Sequence, residues 1–367
     1  MLRSPTYREF GHMKAHALAR AAGMAELASE VTRLFDLVTP SFGALELGPM
    51  PRWASALTDD GTPFELALAF TPAGPSVRVL AETRRAPFEL DDGWHAGVEL
   101  TRALGTLPGV DIRRFEGVAA RFAPGRSSAN FALMHTGTLG PDGALSFEVL
   151  LNPRAAGTAR APELVRETLA TLGADYAWQE LAPKLHATSE LIGVSLELSA
   201  RPHAKVGVYV AHPRVSAAEI DAIVRDESGY TPGLARRWVE TLTGFEGPFD
   251  ARPLVTCHAF RSPHDAAEVT VEVPVRAYTV NDAEAVLRVG ELVGERAPVL
   301  RSAVEATAQR PLEMGRGLVS SVALRPEAYG THVSVCLAPE AHAISSPRRT
   351  HVSELFRRTH GLVTGAL

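Results

Sequence analysis

The sequence predicts an α+β fold: a closed antiparallel β-barrel of about ten strands, built from five ααββ repeats, with helices outside and a ligand-sized lumen. Three observations lead there. Runs with a two-residue hydrophobic period come in pairs, joined by short connections bearing Gly, Pro, Asp or Asn, as hairpins require. Runs of helical period separate the pairs. The second strand of each pair has one aliphatic face and one mixed face.

The elements follow in order. An amphipathic helix is expected around "HALARAAGMAELASEVTRLFDLV". The first hairpin then runs from "FELALAF" through "TPAGP" into "SVRVLAET". The second is "NFALMHTGTL" and "ALSFEVLLNP" around "GPDG". A helix follows in "APELVRETLATLG", with Gly173 as its stop. The third hairpin joins "LIGVSLELS" to "AKVGVYVAHP", after which Ser216 is placed to cap a helix carrying Ile220, Ile223 and Val224. The fourth joins "LVTCHAF" to "AEVTVEVPV". Asn281 and Asp282 open the helix "NDAEAVLRVGELVGE", and "GLVSSVALRP" and "THVSVCLAP" form the last hairpin. The "DDG" sequences at Asp59 and Asp91 read as turns, and the paired arginines at 348–349 and 357–358 as solvated helix ends.

Five hairpins leave exposed edges unless the sheet closes. Helices between them then cover the outside, against Val77 and Val79; Phe147, Val149 and Leu151; Val206, Val208 and Val210; Val269, Val271 and Val273; and Val333, Val335 and Leu337. Roughly eight strands already fill their own interior with side chains, so ten leave room for a ligand. The opposite face is its wall: Arg78, Leu80, Glu148, Leu150, Lys205, Gly207, Tyr209, Thr270, Glu272, Ser334 and Cys336. From the first strands come Glu65, His135, Ser195, Glu197, Thr256 and His258.

Composition narrows the function. A chain of 367 residues with 46% hydrophobic and 22% charged residues is an ordinary globular balance, and is expected to form one domain over residues 1–367. A net charge of −5 gives no global attraction to nucleic acid or to an anionic membrane surface. Two cysteines exclude a disulfide framework. With no membrane-length apolar run and no signal-like N-terminus, a cytoplasmic protein is expected. Spacing singles out no metal-binding motif and no phosphate-binding glycine loop.

"DDGTPFELALAF", "SVRVLAET", "FEVLLNPRAAG", "KVGVYVAHP" and "PVRAYTVNDAEAV", in that order, resemble the dimethylallyltryptophan synthase type of aromatic prenyltransferase, an αββα barrel. The resemblance implies ionisation of an allylic diphosphate in the barrel and capture of the cation by an aromatic acceptor, an indole. It implies a carboxylate role for Glu65, diphosphate roles for Arg78 and Lys205, and a shielding role for Tyr209. His135 lies near the position where some members carry a ring-deprotonating lysine.

The chain departs from that pattern in several places. Glu148 and Leu150 stand where a lysine and a tyrosine are expected, Gly207 where a second cation is expected, Thr270 and Glu272 where a polar residue and a tyrosine are expected, and Cys336 where a tyrosine is expected. The diphosphate would then be under-neutralised unless Arg201, His203 or His258 reaches it, or unless Glu148 and Glu272 recruit Mg²⁺, which no motif requires. Two other readings stay open: a barrel doing acid/base chemistry with Glu65, Glu148, Glu272 and the histidines, and a non-catalytic ligand-binding barrel. A monomer or homodimer is expected.

Overall fold

The computed structural model describes residues 3–348, apart from 126, 128, 202, 328 and 329. Within them the five repeats are explicit, each a pair of helices followed by a hairpin. The first is α1 (Tyr7–Ala21), α2 (Ala28–Val38), β1 (Phe64–Thr71) and β2 (Gly74–Glu82). The second is α3 (Leu90–Leu104), α4 (Arg113–Val118), β3 (Leu133–Leu139) and β4 (Leu145–Leu151). The third is α5 (Ala161–Thr171), α6 (Asp175–Leu181), β5 (Glu190–Glu197) and β6 (Val206–His212). The fourth is α7 (Ala217–Val224), α8 (Leu234–Thr243), β7 (Leu254–Phe260) and β8 (Glu268–Val273). The fifth is α9 (Asp282–Val293), α10 (Ala297–Thr307), β9 (Val319–Glu327) and β10 (Gly330–Leu337).

All neighbouring strands are antiparallel, and β1 pairs with β10, so the sheet closes into a barrel. No strand is left as an open edge among the described residues. The aliphatic faces point outward and are sealed by the helices: Val79, Val149, Val208, Val271 and Val335 are fully buried. The core is this layer between barrel and helices, which leaves the lumen free to be polar.

Local chemistry accounts for the ends of the elements. Ser216 and Glu219 form a capping box at the start of α7. The Asn281 side chain accepts the Glu284 backbone N–H at 2.9 Å at the start of α9. Three expectations change. The N-terminal helix is two helices, broken where Gly23 takes φ +82°. Asp91 and Asp92 lie in the first turn of α3, beside a capping box formed by Glu89 and Asp92, and not in a turn. Arg348 is not at a helix end but in irregular chain, donating its backbone N–H to the Val280 carbonyl at 2.9 Å, and the arginines at 349, 357 and 358 lie outside the described residues.

Candidate active site

The lumen is a cavity of about 580 Å³. Its walls follow from register, since directly paired residues on neighbouring strands share a face. Glu65 pairs with Leu80, and both face inward; Leu66 pairs with Val79, and both face outward. Carried round the barrel, this rule puts Arg78, Glu148, Lys205, Tyr209, Glu272 and Cys336 on the cavity wall, as the sequence suggested.

The same rule overturns three placements, those of His135, His258 and Thr256, the last of which pairs with Val210 and Val271 and does not line the cavity. His135 pairs with Val149, and His258 pairs with Val208 and Val269, all outward-facing aliphatics. Both histidines therefore lie behind the wall, against the helices. His135 meets Thr101 of α3, with Nε2 2.8 Å from its Oγ1, and burial pushes its imidazole down to about 3. His258 contacts the Thr256 hydroxyl at 3.1 Å and sits 3.7 Å from Glu227, with its pKa likewise pushed by burial down to about 3. Met134, Thr136 and Thr138 of β3 and Val255, Cys257 and Ala259 of β7 face the cavity instead. The sequence misled because each strand hides a polar residue on its outer face and apolar residues on its inner one.

At the hairpin end of the barrel the cavity is cationic. Lys205, just before β6, donates from Nζ to Glu268 at 2.6 Å, and Arg325 of β9 donates to the same carboxylate oxygen at 2.8 Å. Arg261 donates to the other oxygen at 3.0 Å. Burial would raise the Glu268 pKa, but Lys205, Arg261 and Arg325 outweigh it and hold the carboxyl down at about 2. His332 lines the cavity beside Arg325, and burial, then that guanidinium, lower its pKa to about 4. Arg78 lies deeper and has no ion-pair partner among the described residues. Arg325, His332 and Glu268 escaped the sequence reading. Arg325 precedes Pro326 and resembles a turn residue, while Glu268 opens a strand, so only three-dimensional convergence reveals them.

The opposite end is closed by the loop before β1. Ala56 and Leu57 of that loop line the cavity with Phe131. Glu82 accepts the Ala56 and Leu57 backbone N–H groups. Arg84 grips Glu82, the Ala54 carbonyl and the Asn130 carbonyl, and Arg276 donates to the Leu57 carbonyl at 2.8 Å. Under this plug sits Glu65, which is 5% exposed, has Oε1 without a hydrogen-bond partner, and lies 3.8 Å from Arg276. Burial pushes its carboxyl up to about 7, against the attraction of Arg276.

Between the two ends lie Glu148, Tyr209, Cys257, Thr270 and Ser334, with Glu272 and Cys336 nearer Glu65. Burial raises both thiols, Cys257 to about 12, so neither is a nucleophile at neutral pH. No group of three or more His, Cys, Asp or Glu residues is arranged to hold a metal ion among the described residues. Arg201 and His203 line a separate groove at the barrel rim, with Arg114 and Arg261, and do not reach the lumen.

A ten-stranded barrel walled by paired helices encloses one cavity, with cations at one end and a buried carboxylate at the other. Residues 8–294 match the tryptophan dimethylallyltransferase family, and the chain belongs to it. It is therefore a prenyltransferase. Among solved structures it is similar to a 6-dimethylallyltryptophan synthase from Micromonospora olivasterospora in complex with DMASPP and Trp, at 27% identity and TM-score 0.86, covering 93% of this chain and 99% of that one. It is similar also to a 5-dimethylallyl tryptophan synthase from Streptomyces coelicolor in complex with DMASPP and Trp, at 27% identity and TM-score 0.85, covering 95% of this chain and 99% of the other.

Proposed function

We propose that the barrel transfers a dimethylallyl group, or a longer prenyl group, from its diphosphate to the indole ring of tryptophan or a tryptophan-derived acceptor. One observation carries this reading: a single cavity joins the cations Arg78, Lys205 and Arg325 to the buried carboxylate of Glu65, whose Oε1 has no hydrogen-bond partner. The likeness to synthases crystallised with DMASPP and Trp supports the pair of substrates.

In the reaction the allylic C–O bond breaks, pyrophosphate leaves with the electron pair, a ring carbon or nitrogen captures the cation, and the ring then gives its proton to the departing pyrophosphate. Arg78, Lys205 and Arg325 stabilise the negative charge that develops on the leaving group. Glu65 accepts the indole N–H, fixing the ring and enriching its electrons. Tyr209 presents an aromatic side chain to the lumen, where it would shield the cation, and the plug over Glu65 excludes water. His135, behind the wall, takes no part.

The chain works as one domain over residues 1–367, in the cytoplasm, as a monomer or homodimer. No motif requires a cofactor; Glu148 and Glu272 are the residues that would hold Mg²⁺, which would supply positive charge against the diphosphate. The test is incubation of the purified protein with dimethylallyl diphosphate and tryptophan or simple indoles, with mass detection of an adduct. No adduct with any indole would turn the reading back to acid/base chemistry by Glu65, Glu148 and Glu272.

A further inference from the structure

We infer that the lumen selects an acceptor whose side chain carries a positive charge and no carboxylate, an aminoalkyl indole, with Glu148 and Glu272 as its counter-charges. The inference rests on the prenyltransferase reading for the ring and on the lumen charges for the side chain. Glu65, Glu148 and Glu272 all line the cavity, and neither Glu148 nor Glu272 has an ion-pair partner among the described residues. The cavity-lining cations are Arg78, Lys205, Arg325 and, where protonated, His332; two of them, Lys205 and Arg325, are already bound to Glu268. A diphosphate occupies these cations and brings further negative charge. The lumen carboxylates are then left facing a ligand that must supply the balancing charge, because an uncompensated carboxylate away from water is costly.

The arrangement along the axis is equally one-sided. Arg78, Lys205 and Arg325 lie at the middle and the hairpin end, whereas the half beyond Arg78 holds Glu65 and Glu272 with Leu80, Met134, Leu150 and Val255. Among the described residues no Lys, Arg or His lines that half. The nearest cation, Arg276, is not part of the lining and is engaged by Glu65 at 3.8 Å and by the Leu57 carbonyl, so an acceptor carboxylate there would face Glu65 and Glu272 with no unengaged cation. Ser334 gives a second, independent sign that a polar ligand belongs here: it is 1% exposed, lines the cavity, and its Oγ has no hydrogen-bond partner. The negative field reaches neighbouring groups, since burial and then Glu148 drive the Cys257 thiol upward.

The experiment uses three indoles that differ in charge: tryptamine, 3-methylindole and indole-3-propionate. Each is titrated calorimetrically into the full-length protein with inorganic pyrophosphate and EDTA present, and each is then assayed with dimethylallyl diphosphate. Tryptamine is expected to bind about 10-fold or more tighter than 3-methylindole, with indole-3-propionate weakest, as one charge-assisted contact implies. In the double variant Glu148→Gln with Glu272→Gln the first two should fall within about threefold of each other. The single variants and a thermal melt separate this result from misfolding. Equal binding of tryptamine and 3-methylindole, a preference for the propionate, or a tryptamine preference that survives in the folded double variant overturns the inference. Selective tryptamine binding without turnover of any indole leaves the inference standing and overturns the prenyl reading.

Discussion

Glu65 is held where chemistry and burial pull in opposite directions. It must be ionised to accept an indole N–H, yet burial raises its pKa from 4.5 to about 7. Between those values the folded protein keeps a proton that the unfolded chain has released, so this group's contribution to stability falls as pH rises through that window. Turnover moves the other way and should climb as pH passes about 7. Glu65→Gln should flatten that limb and lower turnover roughly 10²-fold, with stability no longer falling over the same range. A variant with wild-type rates and the same pH limb would assign the residue to structure. The cations also differ in kind. Arg78 has no acidic partner among the described residues, whereas Lys205 shares Glu268 with two arginines. Arg78→Ala should therefore raise the donor KM more than Lys205→Ala, by roughly 10-fold or more, the usual loss for a charge-assisted contact. Comparable KM values for the two variants would contradict that difference.

At the scale of elements, strand pairing was legible in the sequence because each hairpin carries a two-residue period, and the N-terminal helices, α5, α7 and α9 because they carry a three-to-four-residue one. The helices α3, α4, α6, α8 and α10 were not legible, and the start of α3 at Asp91 has the composition of a turn. Which face a first strand turns inward was likewise hard to read. In β3 the inner residues are Met134, Thr136 and Thr138, while His135 points out among aliphatics, so local polarity gives the wrong parity. Pairing with Val149 corrects it, but that needs register, which depends on turns and closure. Gly97 explains why α3 comes close enough for Thr101 to meet His135. A Cβ at Gly97 would lie 2.1 Å from Leu133 Cδ1 and 2.6 Å from its Cγ, in a fully packed layer. Thr101, one helical turn on, lies on the same face and reaches the imidazole. Gly97→Ala should cost about 1–3 kcal/mol in a denaturant titration, the usual range for overpacking. An unchanged midpoint would mean that α3 can step back freely.

For the molecule as a whole, closure separates two tasks that most folds must combine. Stability resides in the aliphatic layer between strands and helices, so the lumen is free to change without unfolding the protein. This chain uses that freedom. Acids and small residues stand where the related pattern has a lysine and tyrosines, and Arg325, on the last hairpin, strengthens the cationic end that the sequence alone left weak. That compensation was not legible because it comes from a residue distant in sequence from Arg78 and Lys205, and the three converge only once β10 closes on β1. The central claim is that the hairpin end still holds a diphosphate despite the acids further in. Calorimetric titration of a non-ionising dimethylallyl diphosphate analogue into the wild-type protein and into folded Arg78→Ala and Arg325→Ala variants tests it most directly. The account predicts saturable binding to the wild type, weakened roughly 10-fold by each substitution. Absence of binding with and without Mg²⁺, or binding indifferent to both substitutions, would contradict it.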